Sequence, residues 1–306
     1  MKVLITGVNG FLGGYLASRL IKRGIEVHGL YLGDEKQKDD RIICHRGDLL
    51  DYEAMGEILK GINPDFIYHL AAKTEVEKSF YDPIQFSEVN YCGTVNLIEK
   101  AKDLTNLKLF VMASTMETYG WQPKPWKAFT EETEQHPNAP YAVAKIGCEK
   151  YLEYAGRAYK FPYTILRQTN TYGRWDNEFF VVEQIITQML KNEDKINLGY
   201  REPYRNFLYI DDLIDLYEVI LDNPDKARGQ TFCCGPNNAL TIEELVDKIA
   251  EILDWRGSVE WNTKPKRVGE IYYLNSSPAK AKRILGWEPK VSLTEGLKRT
   301  IKMWNK

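Results

Sequence analysis

The chain has 306 residues, of which 43% are hydrophobic and 27% charged, and its formal net charge is −2. A chain of this size can bury a substantial core as one large domain or as two associated domains. The nearly balanced charge argues against nucleic acid or a membrane surface as a partner, and no apolar run is long enough to span a bilayer. Because there is also no basic and apolar leader, we expect a cytoplasmic protein.

The first half of the chain alternates β-type apolar runs with helical patterns. In chain order we predict a strand at 2–6, a helix at 10–23, strands at 26–30 and 41–45, a helix at 52–60, a strand at 66–70, a helix at 86–102, a strand at 107–113, a helix at 141–159 and a strand at 163–167. Strands that alternate with helices in this way form βαβ units. The predicted fold class is therefore α/β, with a doubly wound parallel sheet of the Rossmann type.

Beyond residue 167 the alternation weakens. We predict a helix at 181–191, a short strand near 205–210, and helices at 212–221, 241–253, 279–285 and 293–304. Thr241 and Glu244 form a capping-box pattern at the start of the helix at 241–253. The elements predict a Rossmann domain at 1–168, to which segments near 205–234 return, and a smaller α/β substrate domain at 169–306. Ligands should bind between the two, above the carboxyl ends of the strands.

Cysteine and histidine form no metal or disulfide pattern. The cysteines are odd in number, lack C-x-x-C spacing and stand at Cys44, Cys92, Cys148, Cys233 and Cys234. Such a set argues against a disulfide framework and a structural zinc site. Their apolar neighbours predict buried core thiols, and the scattered histidines give no reason to expect a metal.

A glycine-rich turn follows the first predicted strand and opens the first predicted helix. Gly7, Gly10 and Gly13 permit a tight turn and a close backbone approach to the pyrophosphate of a dinucleotide. Small alanines after the strand at 66–70 would also let the backbone pass close to this ligand. The remaining contacts expected in these segments are Asn9, Phe11, Leu12, Leu49, Leu70, Ala71, Ala72 and Lys73.

Two aspartates are candidates for the adenosine half of the dinucleotide. Asp34 follows the second strand and can meet free ribose hydroxyls. Asp48 can bind the adenine amine or, alternatively, cap the helix that follows it. Tyr31, at the usual position of a ribose-binding acid, offers no positive charge to a 2′-phosphate. We therefore expect NAD, with NADP left open because Lys36 and Lys38 stand nearby.

Tyr141 and Lys145 lie one helical turn apart on the helix at 141–159. A nearby ammonium and an oxidised nicotinamide both favour phenolate, so we expect the pKa of Tyr141 to fall toward working pH. The phenolate can then take the proton of an alcohol whose carbon is oxidised. Thr115, at the carboxyl end of the preceding strand, can hydrogen-bond the same substrate hydroxyl.

Together these motifs resemble the extended short-chain dehydrogenases/reductases, specifically the nucleotide-sugar epimerase/dehydratase family, over essentially the full chain. The resemblance is carried by the glycine turn, Asp48, 69–72, Asn90, Thr115, Tyr141, Lys145, 166–173, 205–211 and 267–270. It implies a nucleoside-diphosphate sugar as substrate, with Asn170 at the sugar or its phosphate and Arg205 and Arg267 holding the diphosphate. It also implies substrate contacts at Thr74, Ser79, Thr115 and Met116, and we expect a homodimer.

Within this family the residues after Thr115 separate the reactions. Dehydratases typically carry Thr-Asp-Glu or Thr-Ser-Glu there, and this chain has Thr115-Met116-Glu117. Glu117 resembles the carboxylate that removes the C5 proton once C4 is a ketone, whereas Met116 cannot protonate a leaving C6 hydroxyl. We expect a dehydratase, with a 4-epimerase as the alternative, whose catalytic residues are Thr115, Glu117, Tyr141 and Lys145. A binding protein without turnover is a further hypothesis, which the intact Thr115, Tyr141 and Lys145 argue against.

Overall fold

The computed structural model describes residues 1–34, 39–263 and 268–305. Its strands are β1 Lys2–Thr6, β2 Glu26–Tyr31, β3 Ile42–Arg46, β4 Phe66–His69, β5 Leu109–Thr115, β6 Tyr163–Gln168, β7 Asn170–Tyr172, β8 Lys195–Asn197, β9 Tyr204–Arg205, β10 Phe207–Tyr209, β11 Gln230–Cys233, β12 Leu240–Thr241, β13 Ser258–Glu260 and β14 Tyr273–Leu274. Its helices are α1 Phe11–Lys22, α2 Tyr52–Ile62, α3 Val76–Ser79, α4 Pro83–Ser87, α5 Gly93–Ala101, α6 Pro140–Tyr159, α7 Val181–Lys191, α8 Ile210–Asp222, α9 Pro224–Ala227, α10 Ile242–Leu253, α11 Ala279–Leu285 and α12 Leu293–Trp304. A π-helical turn, Glu88–Cys92, joins α4 to α5, and a 3₁₀ turn, Met116–Tyr119, follows β5.

Seven parallel strands form the main sheet, in the order β3-β2-β1-β4-β5-β6-β11. The order reverses between β1 and β4, and this reversal opens a crevice at the carboxyl ends of the strands. The doubly wound parallel sheet predicted from the sequence is confirmed. The chain re-enters the sheet through β11, which pairs with β6 and lies in the segment for which a return was expected. The domain boundary at residue 168 stays a prediction.

Burial on both faces of the sheet explains its apolar strands. Successive side chains of a strand point to opposite faces, so Val3 and Ile5 join one apolar cluster and Leu4 joins the other. The first cluster contains residues of α1 and α8, which pack against each other, and the second contains residues of α2, α5 and α6. Because helices cover both faces, the strands consist of nearly continuous apolar runs.

The C-terminal part adds three small sheets. β7 pairs with β10, β8 pairs with β13, and β9 lies between β12 and β14. Apolar residues of α7, α10 and α12 belong to the same cluster as those of α1 and α8, so one core connects this part to the main sheet. No helix in the described part of the chain is long and apolar enough to cross a membrane.

Several predicted elements differ from those observed. The helix expected at 86–102 is interrupted by the π-helical turn, and the strand expected at 107–113 extends to Thr115. The strand expected near 205–210 is divided into β9 and β10. The capping box of Thr241 and Glu244 is confirmed.

The cysteines are all free thiols, and three of them are buried as expected, namely Cys148, Cys233 and Cys234. The prediction is wrong for Cys92, which is exposed, and only partly right for Cys44, which is half-buried. Cys92 ends the π-helical turn, whose buried residue is Asn90, so the thiol lies on the solvent side of that turn.

Candidate active site

A cleft of about 990 Å³ opens at the carboxyl ends of β1, β4, β5 and β6. Its walls come from the turn between β1 and α1, the segments after β4 and β5, the start of α6, and the stretch from 168 to 183. The predicted site residues that line it are Gly7, Asn9, Gly10, Phe11, Leu12, Gly13, Asp48, Leu49, Leu70, Ala71, Ala72, Lys73, Thr74, Thr115, Met116, Glu117, Tyr141 and Asn170. Most of the residues that the sequence predicted for the site therefore lie around this one cleft.

The glycine turn has the geometry of a phosphate cradle. Gly7 has a φ of +74°, and a Cβ built there would lie 2.8 Å from the Cα of Ala71. A Cβ at Gly13 would collide with the carbonyl oxygen of Gly7. The turn leads into α1, whose N-cap, Gly10, provides no side-chain cap, and whose first turn contains no acidic residue. Its first backbone N–H groups are thus suited to bind an anion.

The backbone segment 70–73 is held against this turn by buried polar side chains. Thr6 Oγ1 accepts the N–H groups of Leu70 and Ala71 at 3.2 and 3.1 Å. Asn90 accepts the N–H of Lys73 at 2.8 Å and donates to the carbonyl of Lys73 at 2.9 Å. Asn90 lies in the π-helical turn, and such turns frequently mark functional sites. These contacts fix one wall of the cleft.

The two aspartates proposed for the adenosine half have different surroundings. Asp48 lines the cleft and accepts the N–H of Leu50 at 2.9 Å. The N-cap of α2 is Asp51, so the alternative role of Asp48 as that cap is wrong. Asp34 is exposed outside the cleft lining, and its carbonyl accepts a hydrogen bond from Asn9 at 2.9 Å. A ribose contact by Asp34 stays a prediction, and Lys36 and Lys38 lie outside the described residues.

Thr115, Tyr141 and Lys145 meet at the end of β5. Tyr141 is the second residue of α6 and is 7% exposed, and the side chain of Thr115 acts on the pKa of its phenol. Lys145 is 3% exposed and lies behind the cleft, where its Nζ donates to the carbonyl of Ala113 at 2.9 Å. The ammonium therefore holds the backbone of β5 next to Thr115.

The prediction that the pKa of Tyr141 is lowered is wrong when only the protein's own groups act on the phenol. Burial raises the pKa of Tyr141, the negative charge of Glu117 raises it further, and the side chain of Thr115 opposes them only in part. Burial also lowers the pKa of Lys145, whose ammonium points to Ala113. A phenolate at Tyr141 thus requires a positive charge from outside this set of side chains.

Glu117 lies in the 3₁₀ turn that follows Thr115 and lines the cleft. Its backbone N–H donates to Thr115 Oγ1 at 3.2 Å, and Met116 beside it is 2% exposed. The charge of Glu117 acts on the Tyr141 phenol, so the carboxylate and the phenol share one part of the cleft.

A buried ion pair, which was not predicted from the sequence, supports the 3₁₀ turn that carries Glu117. Arg167 Nη2 donates to Glu149 Oε2 at 2.7 Å, and Arg167 Nη1 donates to the hydroxyl of Tyr119 at 2.9 Å. Ser114 Oγ donates to the same carboxylate. The network joins α6, β5, β6 and the turn that carries Glu117. Arg167 stands inside the motif at 166–173, but nothing in that pattern reveals its partner on α6.

The remaining predicted substrate residues divide into two groups. Thr74, Met116 and Asn170 line the cleft. Ser79 is buried outside the lining and donates to the carbonyl of Val76 at 2.6 Å. Arg205 also lies outside the lining and pairs with Glu270 at 3.0 Å, while Arg267 lies outside the described residues. The roles of Ser79, Arg205 and Arg267 stay predictions.

Some residues lining the cleft carried no expectation from the sequence. They include Gln168, Thr169, Arg174, Phe180 and Glu183. The sequence signal that could have found them is that they stand close to Asn170 in the chain. Within the described ranges, no group of three or more acidic, histidine or cysteine side chains is placed to hold a metal ion.

Comparison with known proteins assigns the family. Residues 4–300 match the family model described as GDP-mannose 4,6 dehydratase. The chain belongs to this family. Membership of the extended short-chain dehydrogenases/reductases that act on nucleotide sugars, predicted from the sequence, is therefore confirmed.

Relatives of this family member catalyse different reactions. dTDP-glucose 4,6-dehydratase 1 of Escherichia coli K12 is 28% identical over 342 residues, covering 99% of this chain and 92% of the relative. A solved UDP-glucose 4-epimerase of Thermotoga maritima with UDP-glucose has a TM-score of 0.92 and 31% identity, covering 100% of this chain and 99% of the other. The UDP-glucose 4-epimerase of Thermus thermophilus, in complex with NAD, has a TM-score of 0.90 and 28% identity, with coverages of 100% and 99%. NAD, the cofactor predicted from the sequence, is thus bound by a solved neighbour. Since dehydratases and epimerases match about equally well, likeness alone does not decide the reaction.

Proposed function

We propose that this chain is an NAD-dependent dehydratase of a nucleoside-diphosphate sugar. It would oxidise C4 of the sugar and eliminate water across C5 and C6. The observation that carries the proposal is the carboxylate of Glu117, which shares the cleft with Tyr141 and acts on its ionisation. A carboxylate at this place can remove a second proton from a substrate whose first proton goes to Tyr141.

The cleft fits NAD. The glycine turn and the first turn of α1 would hold the diphosphate, Asp48 would meet the adenine, and the backbone of 70–73 would pass beside the ligand. Bound there, NAD would supply hydride transfer from C4 to C6 of the sugar, and its oxidised ring would supply a positive charge that favours a phenolate at Tyr141.

Each side chain has a separate role in the proposed reaction. Tyr141, oriented by Thr115, takes the proton of the C4 hydroxyl, and Lys145 fixes the backbone of β5 next to it. Glu117 removes the C5 proton, which the new C4 ketone has made acidic. Because the thioether of Met116 has no proton to give, Glu117 passes this proton to the departing C6 hydroxyl, which leaves as water. Solvent then returns a proton to C5, and Tyr141 releases to solvent the proton that it took from the C4 hydroxyl, so that the protons balance.

A 4-epimerase is the second candidate. The observation that favours it is Met116, since a position that carries an acid or a hydroxyl in related dehydratases here holds a thioether in the cleft wall. In an epimerase Tyr141 would keep its role, and Glu117 would not contact the reacting atoms.

Glu117→Gln separates the two candidates. If the dehydratase proposal is correct, the variant still oxidises the sugar and accumulates reduced nicotinamide, seen as near-ultraviolet absorbance, but it releases no dehydrated product. In deuterated water the wild type should place solvent deuterium at C5, and the variant should not. Glu134→Gln, which removes an exposed carboxylate outside the cleft lining, is the control and should behave like the wild type. If Glu117→Gln interconverts C4 epimers at the wild-type rate and no dehydrated product forms, the enzyme is an epimerase.

The nucleotide, the assembly and the location are tested separately. Mass spectrometry of nucleotides released on denaturing the purified protein would identify the dinucleotide and any retained sugar nucleotide. Light scattering of the purified chain tests the expected homodimer, and fractionation of expressing cells tests the cytoplasmic location.

A further inference from the structure

Arg174 is a cation in the cleft to which neither the motifs nor the comparisons assign a role. It follows Gly173, just beyond the end of β7. Among the described residues that line the cleft, the lysine and arginine side chains are those of Lys73 and Arg174. Two diphosphates would bind in this cleft under the proposed function, and each carries about two negative charges that need donors.

The side chain of Arg174 is held in a fixed position. Its guanidinium carbon lies 4.3 Å from the centre of the Phe11 ring and 3.9 Å from that of Phe180. Nη1 donates to the carbonyl of Thr171 at 2.6 Å. The indole of Trp304 donates to the carbonyl of Arg174 at 2.8 Å. The two rings and the hydrogen bond to Thr171 thus fix the orientation of the guanidinium before any ligand binds, and the bond from Trp304 holds the backbone of Arg174.

Glu183 positions this arginine without using all of its donors. The fully buried carboxylate accepts the backbone N–H groups of Gly173 and Arg174 through Oε1, at 3.0 and 3.1 Å. The same oxygen lies 3.5 Å from Arg174 Nη1, and Oε2 has no hydrogen-bond partner in the described part of the chain. Nε and Nη2 of Arg174 make no hydrogen bond to any described residue, although a guanidinium offers five donors. Burial lowers the pKa of Arg174, as expected for a charge that its surroundings compensate incompletely.

The position of Arg174 selects one of the two diphosphates. Phe11, against which the guanidinium stacks, is the first residue of α1 and directly follows Gly10 of the glycine turn. The anion bound by that turn is the diphosphate of the dinucleotide. We propose that Arg174, next to the glycine turn, donates hydrogen bonds to the dinucleotide diphosphate, with Glu183 as its positioning residue. The inference rests on the NAD-binding part of the proposed function and holds for a dehydratase or an epimerase alike.

Ligand fragments test the proposal by binding alone. Full-length protein freed of bound nucleotide is titrated with NAD, ADP-ribose, adenosine, uridine diphosphate and thymidine diphosphate, using the wild type, Arg174→Gln and Arg174→Lys. Arg174→Gln should weaken NAD and ADP-ribose by the same factor, roughly 10- to 100-fold, the scale of a hydrogen bond to a charged group. Adenosine, which lacks the diphosphate, should bind all variants equally. Arg174→Lys keeps the charge without the planar fork and should fall between the other two.

The matched control is Arg19→Gln on α1. Arg19 pairs with Asp215 and Glu218 at 2.9 and 2.8 Å outside the cleft lining, so its loss perturbs the same helix without removing a cleft cation. This variant should bind NAD as the wild type does. The salt dependence of NAD binding should be shallower in Arg174→Gln than in the wild type, because one ionic contact is gone.

If the wild type binds NAD, three outcomes for the variants overturn the proposal. The first is unchanged NAD and ADP-ribose affinity in Arg174→Gln, and the second is an equal loss of adenosine, which would indicate a general loosening of the cleft. The third is a loss confined to uridine or thymidine diphosphate, which would assign Arg174 to the substrate. If circular dichroism shows that Arg174→Gln is unfolded, the titrations of Arg174→Lys test the proposal instead. Failure of the wild type itself to bind NAD overturns the proposed function and this inference with it.

Discussion

The phenol of Tyr141 lies in the cleft with its pKa raised by burial and by the charge of Glu117. Tyr141→Phe removes the hydroxyl that would take the substrate proton and leaves the ring and its packing in place. We expect turnover to fall by roughly 10²- to 10⁴-fold, the usual contribution of a positioned base, while NAD affinity and the melting temperature stay near the wild-type values. Steady-state kinetics with calorimetry test this. Turnover near the wild-type rate would remove Tyr141 from the mechanism.

Glu117 and Tyr141 should be coupled in their pH dependence. Because the negative charge of Glu117 raises the pKa of Tyr141, Glu117→Gln should lower that pKa. Under the proposed function, oxidation at C4 needs the phenolate, so its rate should rise with pH. In the variant this rate should reach its plateau at a lower pH than in the wild type. Stopped-flow absorbance of reduced nicotinamide across a pH series measures this. A plateau at unchanged or higher pH would contradict the coupling.

Arg205 was predicted to hold the substrate diphosphate, and the structure pairs it with Glu270 at 3.0 Å. If the prediction is correct, Arg205→Ala weakens binding of the nucleotide sugar by about 1.5–3 kcal/mol, and the same is expected for Arg267→Ala. Glu270→Gln provides the contrast. It frees the guanidinium and should preserve or strengthen sugar-nucleotide binding if Arg205 is a ligand. It should weaken binding as much as Arg205→Ala does if the ion pair only supports the fold. Calorimetry distinguishes the two.

At the level of elements, the buried pair between Glu149 of α6 and Arg167 of β6 holds together the segments that carry the proposed catalytic groups. Arg167→Met leaves the carboxylate of Glu149, which is fully buried, without its cation. We expect a loss of about 3–5 kcal/mol in the free energy of unfolding, measured with urea. Lys150→Met, which breaks the partly exposed pair with Glu153 on the same helix, should cost no more than about 1 kcal/mol. Equal losses in both variants would contradict a structural role for the buried pair.

The same elements show what periodicity can predict. α7, α11 and α12 have the predicted bounds, because their apolar residues recur at helical spacing over whole turns. The π-helical turn at Glu88–Cys92 was missed because one extra residue in a helical turn leaves the surrounding pattern almost unchanged. β7 and β10 are three residues each and pair with each other across more than thirty intervening residues. Strands this short are specified by their partners rather than by their own sequence.

Across the whole molecule, the cleft was predictable where one motif supplies neighbouring residues and unpredictable where distant segments meet. The glycine turn, the alanines after β4 and Thr115 all lie where their motifs placed them. Arg174 enters the cleft because its segment crosses back over α1, where Tyr15 donates to the carbonyl of Gly173 at 3.2 Å. Arg205 is instead turned toward Glu270. Neither outcome follows from local sequence, because both depend on how the C-terminal part packs on the sheet.

His69 gives the folded molecule a specific sensitivity to acid. Full burial, together with the charge of Lys145, lowers its pKa to about 3 from an ordinary value of 6.5. Its ring nitrogens lie 2.8 Å from the hydroxyl oxygens of Thr6 and Thr94. Because folding lowers the pKa of His69, the unfolded chain binds a proton there at pH values at which the folded chain does not. As far as this group is concerned, the free energy of unfolding is at its full value above about pH 6.5 and decreases as the pH falls toward 3.

The contribution of His69 can be isolated by a difference measurement. Between about pH 7 and pH 5, the wild type should lose about 2 kcal/mol of its free energy of unfolding through this group alone. His69→Gln has lower stability overall but no titrating ring, so its loss over the same interval should be smaller by that amount. His136→Gln, which removes an exposed histidine, should keep the wild-type loss. Urea unfolding at both pH values measures all three proteins. If His69→Gln loses as much stability as the wild type, His69 is not the group that makes this fold sensitive to acid.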